Sequence, residues 1–529
     1  MTFLIRTLLS SGGTGNYWLC VVSGGPVKFV DIKESSSGLV YCAGTIPVNT
    51  GGPVLAPVAY LTTLNADGTL NSAFFYSSGG GGSTYYNFNQ IVLASSTNVI
   101  GVMDTADSGQ KTALISIDMP SAVLNYQTQL GDSLFQSQSS GTGIAQDSAN
   151  NIYICGHDVE TYPTVDNCAF IYKYDSSGAP IAYNAFGLSP FVLTVSAEDI
   201  AIDSSDYVYV TGQSDTDGFI ARFNAIGSPA FFAKKITGAS GTAIGVGVAV
   251  DSTGNSYVVS KLSSGGSSAL LCKFDSAGTI VWQRELSQSP SLNVVPVAIA
   301  LDSTGNPYLL INYSISTLSG ETGIAVVKYD ASGSLIWQTQ VTTSQTGPTS
   351  PIPITSVSTA ANIVSYHGSF GIIGAPLPAA GYTFLAGGFS TTGFNGQFTV
   401  QSADPTKINV SSAVIGASSI GTVIINIPYV LIASRMMIDS SGYIFIGGAN
   451  GTFINGPLDS NSLAIKIDIY NSVLGTFGYY TFAPATFTDA AGTATFGGPS
   501  YTNGLAPTVS SSAISDGTSE TPTATVITI

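Results

Sequence analysis

Charge is scarce in this sequence. Only 9% of its 529 residues are Asp, Glu, Lys or Arg, while 44% are hydrophobic. Such a chain buries a core and does not stay a solvated, disordered polymer. Basic residues are scarcer still, with 15 Lys and Arg against 31 Asp and Glu and a net charge of −16. A phosphate backbone would be repelled, so nucleic acid is not an expected partner. No apolar run reaches the roughly 18 residues of a membrane span. The opening MTFLIRTLLSSGG alternates apolar with polar residues and lacks a small-residue cleavage site. It reads as a β-strand, with a signal peptide as the weaker alternative. Histidine occurs twice, and Cys20, Cys42, Cys155, Cys168 and Cys272 follow no metal-ligand spacing. Buried free thiols explain them better than a disulfide framework, and no cofactor is expected.

What is abundant is glycine, 60 residues of it, and it recurs in a repeated turn. DSTGNSYVVS from Asp251 and DSTGNPYLLI from Asp302 are near copies. Related stretches begin at Asp31, Leu93, Asp147, Asp203 and Asp439. A second element follows most of them: KYDSSGAPIAY, RFNAIGSPAFF, KFDSAGTIVWQ, KYDASGSLIWQ and the looser KIDIYNSVLG. Each unit reads strand, tight turn, strand, loop, strand, tight turn, strand. A four-stranded antiparallel meander of about 50 residues is the period of a propeller blade. The expected fold is therefore all-β, a seven-bladed or alternatively eight-bladed β-propeller.

The rhythm breaks between Asp302 and Asp439, where roughly Pro351 to Tyr429 forms an excess. Its alternating segments GYTFLAGGF, GQFTVQSA, KINVSS and TVIINI predict a small inserted β module. The expected division is residues 1–350 as the first part of the propeller, 351–429 as the module, 430–498 as the last blade and ring closure, and 499–529 as a Ser/Thr-rich tail. FLIRTLLSSGGTGNYWLCVV resembles the third and fourth strands of a unit, and ATFTDAAGTATFGG around Asp489 the first and second. The two could join in one shared blade, which is where the eighth would come from.

In each DSTGN-like turn the Asp carboxylate can accept backbone N–H groups two residues on, and Gly supplies the positive φ. Asp147, Asp203, Asp251, Asp302 and Asp439 are thus structural turn residues. One carboxylate per turn is a thin ligand set for calcium, which takes six to eight oxygens. Lys173, Arg222, Lys273, Lys328 and Lys466 recur two residues before Asp or Asn, on one face of their strands. A cation in every unit predicts ion pairs or carbonyl contacts between blades.

The pattern D-x-x-G-N-x-Y-V-x-G followed by K-x-D-x-x-G-x-x-x-W resembles the SBBP-type β-propeller repeat of bacterial and viral surface proteins. The resemblance spans roughly Val30 to Ser350 and Leu431 to Phe482, and it implies a propeller without a shared active site. FSTTGFNGQFTVQS from Phe389 is similar to small β modules of phage virion proteins, which implies a phage setting.

The tight turns are uniform and the other loops irregular, so the irregular face is the expected binding face. Tyr85, Tyr86 and Phe88 beside four glycines suggest an aromatic platform for sugars, or else a loop folded onto a blade edge. His157, Asp158, Glu160 and Asp166 offer mixed metal ligands within one loop, against a reading of ordinary loop polarity. With His157 and His367 as the only histidines and no G-x-S-x-G, catalysis is the lesser reading. Carboxylates meeting over a channel would be its form. The sequence thus points to a non-enzymatic structural or recognition propeller on a virion, in an oligomeric assembly with other virion proteins and binding host glycan or a neighbouring subunit. The alternatives are a secreted or cell-surface bacterial adhesion propeller and a polysaccharide-active enzyme.

Overall fold

The computed structural model describes the strands and tight turns between residues 4 and 497 and the segment Pro522–Ile527. Outside it lie 8–17, 24–27, 49–55, 79–85, 106–110, 131–137, 160–166, 187–194, 315–321, 369–382, 388–395, 412–420, 453–458, 469–474 and 498–521, with shorter gaps between strands. The described residues form no helix and assemble into eight antiparallel sheets.

Seven of these sheets repeat one order. Sheet I is Lys28–Glu34, Val40–Val48, Ala56–Leu64 and Leu70–Ser78. Sheets II to VI begin with Tyr86–Leu93, Gln138–Gln146, Val195–Ile202, Thr242–Val250 and Val294–Leu301, each followed by its next three strands in chain order. Sheet VII is Val430–Ile438, Tyr443–Thr452 and Asp459–Asp468, and its fourth strand is Trp18–Ser23 from the other end of the chain. The first strand of each sheet packs against the next, and that of sheet VII against Lys28–Glu34. The sheets therefore close into a propeller ring.

Burial follows from this arrangement. Middle strands are covered on both faces by neighbouring sheets, so Asn98–Thr105 and Asp217–Phe223 are buried almost throughout. First strands alternate, as Val195–Ile202 does. The core is accordingly a set of layers between sheets. Tyr41, Leu61 and Phe74 meet Phe88 and Ile91 between sheets I and II. Trp18, Cys20 and Phe445 meet Phe29, Cys42 and Tyr60 at the closing seam. Each such large apolar side chain stabilises the fold by about 1.5–3 kcal/mol relative to exposure. Cys20, Cys42, Cys155 and Cys272 are free and buried, and burial pushes the Cys20 thiol up to about 12. The Cys168 side chain lies outside the described residues.

One device recurs at the rim. In four sheets the glycine of the second tight turn lies under an aromatic ring of the preceding sheet. A Cβ on Gly68, Gly178, Gly278 or Gly333 would come within 2.5–2.8 Å of Trp18, Tyr126, Phe232 or Trp282. The indoles also tie sheets together, Trp18 Nε1 donating to Ala66 O at 2.9 Å and Trp282 Nε1 to Ala331 O at 3.1 Å.

The eighth sheet is the insertion. Ile352–Ala360, Ile363–Gly368, Lys407–Ser411, Gly396–Asp404, Thr383–Gly387 and Gly421–Pro428 pair in that order, and the last pairs back with the first. This is a closed six-stranded barrel around Val357, Val364, Tyr366, Val400, Ile408 and Val410. It interrupts the connection from Leu335–Thr343 to Val430–Ile438, so it springs from the irregular-loop face.

The termini correct the expectation of a shared extra blade. The N-terminal segment supplies only a fourth strand, since the third strand of sheet VII is Asp459–Asp468. Leu4–Thr7 adds outside it. The residues around Asp489 do not join them, because Thr488–Ala491 pairs with the outer edge of Ile280–Ser287. In an alternating Thr/Ala segment a true blade start and a short edge strand look alike.

Candidate functional site

Every first strand is irregular at one equivalent position. The register shifts between Phe29 and Asp31, Phe88 and Gln90, Gly141 and Gly143, Ala197 and Asp199, Gly245 and Gly247, Pro296 and Ala298, and Ala433 and Arg435. Such bulges bend a strand and re-aim the following side chain. Going round the ring, the residues so placed are Asp31, Gln90, Gly143, Asp199, Gly247, Ala298 and Arg435. They form a girdle that is polar in four sheets and small in three.

Three of the polar members bind the next sheet. Ile91 N–H donates to Asp31 Oδ2 at 2.9 Å, Ile144 N–H to Gln90 Oε1 at 2.9 Å and Val248 N–H to Asp199 Oδ2 at 3.0 Å. Each bond satisfies an inner-edge N–H that would otherwise be buried without a partner. The other oxygen of Asp199 accepts from Arg435 Nη1 at 3.2 Å, joining sheets that are not neighbours. Burial works to lower the Arg435 pKa, and the carboxylates of Asp199 and Asp31 outweigh it and raise it. Glu198, beside Asp199 and half-buried, has its carboxyl raised by burial; the Ser196 hydroxyl at 2.8 Å, and then His157 and Arg435, work against that rise.

Tyr86 and Phe88 do not form an exposed aromatic platform. Tyr86 and Phe88 belong to strand Tyr86–Leu93, two residues apart on one face, and are buried between sheets I and II. A strand with apolar residues at every second position turns them into the core, so they present no ring to a sugar. Tyr85 lies outside the described residues.

His157 and Asp158 belong to strand Ile152–Val159 and not to a loop, so as consecutive residues they point to opposite faces of the sheet. His157 Nδ1 has no hydrogen-bond partner among the described residues. Glu160 and Asp166 lie outside those residues. No group of three or more His, Cys, Asp or Glu positioned for a metal ion occurs among the described residues. His367 sits on the inserted barrel, its Nε2 2.9 Å from Ser358 Oγ.

The turn aspartates look inward to their own loops. Asp251 Oδ1 accepts from the N–H of Thr253 and of Asn255, each at 3.0 Å, and from the Thr253 hydroxyl at 2.7 Å. Its Oδ2 accepts from Asn255 Nδ2 at 2.8 Å. Asp302 repeats this set, and Asp147, Asp203 and Asp439 accept N–H groups two and four residues on. Burial pushes the Asp302 carboxyl up, but the bonds from Thr304 and Asn306 outweigh it and hold it at about 2. The φ > 0 position is Gly254 at +80°, while Asn150 and Asp206 take it at 64° and 62°.

Four of the strand cations divide into two kinds. Arg222 Nη1 donates to Ser276 O at 2.6 Å and Lys273 Nζ to Ala331 O at 3.1 Å, both on the next sheet. Lys173 and Lys328 instead pair within their sheets, 3.3 and 3.4 Å from Asp147 and Asp302. Lys466 lies 4.3 Å from the Tyr443 ring centre.

The girdle escaped sequence reading, although a signal existed. VSAEDIAI and VLIASRMMI are apolar strands interrupted by charge, which is a costly placement unless the charges meet.

No family model matches this chain, and no curated protein does. The SBBP-type and phage-module resemblances therefore rest on the quoted residues alone. Among solved structures, the chain is similar to a Bacteroides caccae protein of unknown function, at 10% identity and a TM-score of 0.35, over 53% of this chain and 89% of that one. It is similar to an ulvan lyase of a new polysaccharide lyase family at 10% and 0.30, over 75% and 94%. The phage phi92 endosialidase gives 10% and 0.28, over 86% and 69%. Likenesses of this size carry no argument about what this chain does.

Proposed function

We propose that this chain is a non-enzymatic structural and recognition propeller on the outside of a phage or virus particle, in a tail fibre, tail or capsid surface. Its irregular-loop face, which also bears the inserted barrel, binds host glycan or a neighbouring virion subunit. One observation carries the reading. The polar groups of the ring interior are used to hold the ring together: Asp31, Gln90 and Asp199 bind the next sheet, and Asp199 also binds Arg435. That is the organisation of a rigid scaffold, with recognition left to the loops. The phage setting rests on the resemblance of FSTTGFNGQFTVQS to virion modules.

The test is electron cryo-microscopy of the source particle together with a glycan array and a turnover assay on the purified chain. Repeated copies on the particle, with glycan bound and no product formed, are expected. Absence from any particle would move the reading to a secreted or cell-surface adhesion propeller.

Glu198 favours one other reading. A carboxyl raised by burial next to Asp199 and Arg435 has the character of a proton donor in a polysaccharide-active enzyme. Turnover of a polysaccharide that Glu198→Gln abolishes would establish that reading in place of the first.

A further inference from the structure

The second tight turn leads into the outer strand through a repeated irregularity. Register shifts there leave Asn71, Asn125, Ile181, Val281 and Ile336 as extra residues opposite the third strand, in sheets I, II, III, V and VI. In sheet IV the same place belongs to Phe231. It directly precedes Phe232, whose ring covers Gly278 just as the Trp282 ring after Val281 covers Gly333. A bulge leaves its extra residue outside the ladder, and all six side chains are exposed. The equivalent residue of sheet VII, at position 17, lies outside the described residues.

What fills the position divides the ring. Sheets I and II carry Asn, whereas sheets III to VI carry Ile181, Phe231, Val281 and Ile336, each 50–55% exposed. These are four of the six exposed large hydrophobic side chains among the described residues. Folding does not ask for them, since asparagine serves the same bulge in two sheets. Four such residues on consecutive sheets make an apolar arc along the outer wall, at its tight-turn end. Exposed apolar side chains that recur without a folding need mark an interaction surface. The short edge strands leave the arc open, because they pair only with Lys235–Thr237, Arg284–Ser287 and Thr339–Thr343, past the bulges.

Charge selects the occupant. Asp175, Asp275 and Asp330 stand six residues before Ile181, Val281 and Ile336, and sheet IV has Asn224 in their place. Their Oδ1 atoms accept the N–H groups two and four residues on at 2.7–3.0 Å, which fixes each carboxylate beside the arc. No ion pair to these three occurs among the described residues. A second copy would bring the same carboxylates and its own net charge of −16, and an anionic lipid surface would be repelled as well. We propose that the arc docks a protein partner whose surface interleaves Lys or Arg with apolar side chains, seated along the outer wall of sheets III to VI. The irregular-loop face, at the other end of the sheets, stays free.

Fluorescence anisotropy on the full chain tests this with three labelled peptides of equal length, alternating Lys with Leu, Lys with Ser and Glu with Leu. The Lys–Leu peptide is expected to bind about tenfold tighter than either of the others. A variant combining Ile181→Asn, Phe231→Asn, Val281→Asn and Ile336→Asn introduces only the residue that sheets I and II already carry, so it should keep the wild-type circular dichroism and melting temperature. It should bind the Lys–Leu peptide no better than the Lys–Ser one. Equal affinity of the wild-type chain for those two peptides overturns the proposal. So does undiminished Lys–Leu binding by the folded variant, which would put the site elsewhere. A dimer in light scattering that the variant abolishes would overturn it too, by giving the arc to a second copy.

Discussion

Arg435 Nη1 lies 3.2 Å from Asp199 Oδ1, although the strands bearing them are separated by two sheets one way round the ring and three the other. The pair is a strut across the channel. Neighbouring sheets are held by apolar layers, but this bond holds distant ones. Asp31, on the sheet next to that of Arg435, adds a second negative charge near the guanidinium.

Removing one side of the strut leaves a poorly solvated charge. Arg435→Met is expected to destabilise the chain by about 2–4 kcal/mol, and Asp199→Asn by a similar amount. The double variant should lose less than the sum of the two, because no charge is then left unpaired. Urea unfolding of the four proteins gives the coupling; strict additivity would mean that the strut contributes nothing.

Two left-handed glycines distinguish backbone strain from packing. Gly305 and Gly333 have φ of +80° and +87°. A Cβ at Gly305 would meet only Asp251 Cβ at 3.8 Å, while one at Gly333 would come 2.8 Å from the Trp282 ring. Gly305→Ala should cost about 1 kcal/mol, the strain alone. Gly333→Ala should cost about 2–4 kcal/mol, since the indole must also move. Thermal unfolding of both variants settles the order.

The closing seam carries a pH response. Burial first, then hydrogen bonding to Asp439 and its charge, raise the Glu34 carboxyl to about 7, with Lys466 opposing. The folded chain thus favours the protonated form. Stability from this group is complete below the ordinary Glu value of about 4.3 and is lost as pH rises through about 7. Melting temperature should fall between pH 5 and pH 8, and Glu34→Gln should flatten that slope. A wild-type slope unchanged in the variant would rule Glu34 out as its source.

At the acid end the sign reverses. The Asp147, Asp251 and Asp302 carboxyls sit below the usual range, because turn hydrogen bonds outweigh their burial. Their contribution is complete above about pH 4 and is lost as pH falls toward 2. Acid unfolding should begin in that window, and Asp302→Asn should make the transition shallower. Removing the bonds altogether with Asp251→Ala should cost about 1–3 kcal/mol at neutral pH.

The repeating architecture was legible because one physical need recurs from unit to unit. An Asp that accepts its own turn's amides and a left-handed residue three positions on are spelled out in five of the seven units, at Asp147, Asp203, Asp251, Asp302 and Asp439. The insertion was visible as a break in that rhythm, but not its closure into a barrel, which depends on Gly421–Pro428 pairing on both edges. Tyr86 and Phe88 misled because a glycine run beside aromatics looks like a loop, whereas their alternation with Asn87 and Asn89 belongs to a strand. His157 and Asp158 misled similarly, since the strand runs further than its apolar part. The girdle stayed hidden because it exists only when strands far apart in the chain meet. Asp199 and Arg435 are separated by 236 positions, and nothing local links them.

The fourth strand of sheet VII imposes an order on synthesis. Trp18–Ser23 leaves the ribosome about 440 residues before its partner Asp459–Asp468. At 5–20 residues per second that is a wait of roughly 20 to 90 seconds. Meanwhile Trp18 and Cys20, which end up fully covered, have no native place to go. The ring can accumulate sheet by sheet as the chain emerges, yet its last joint cannot form until Asp459–Asp468 has emerged, so until then the nascent chain carries an unmated apolar strand.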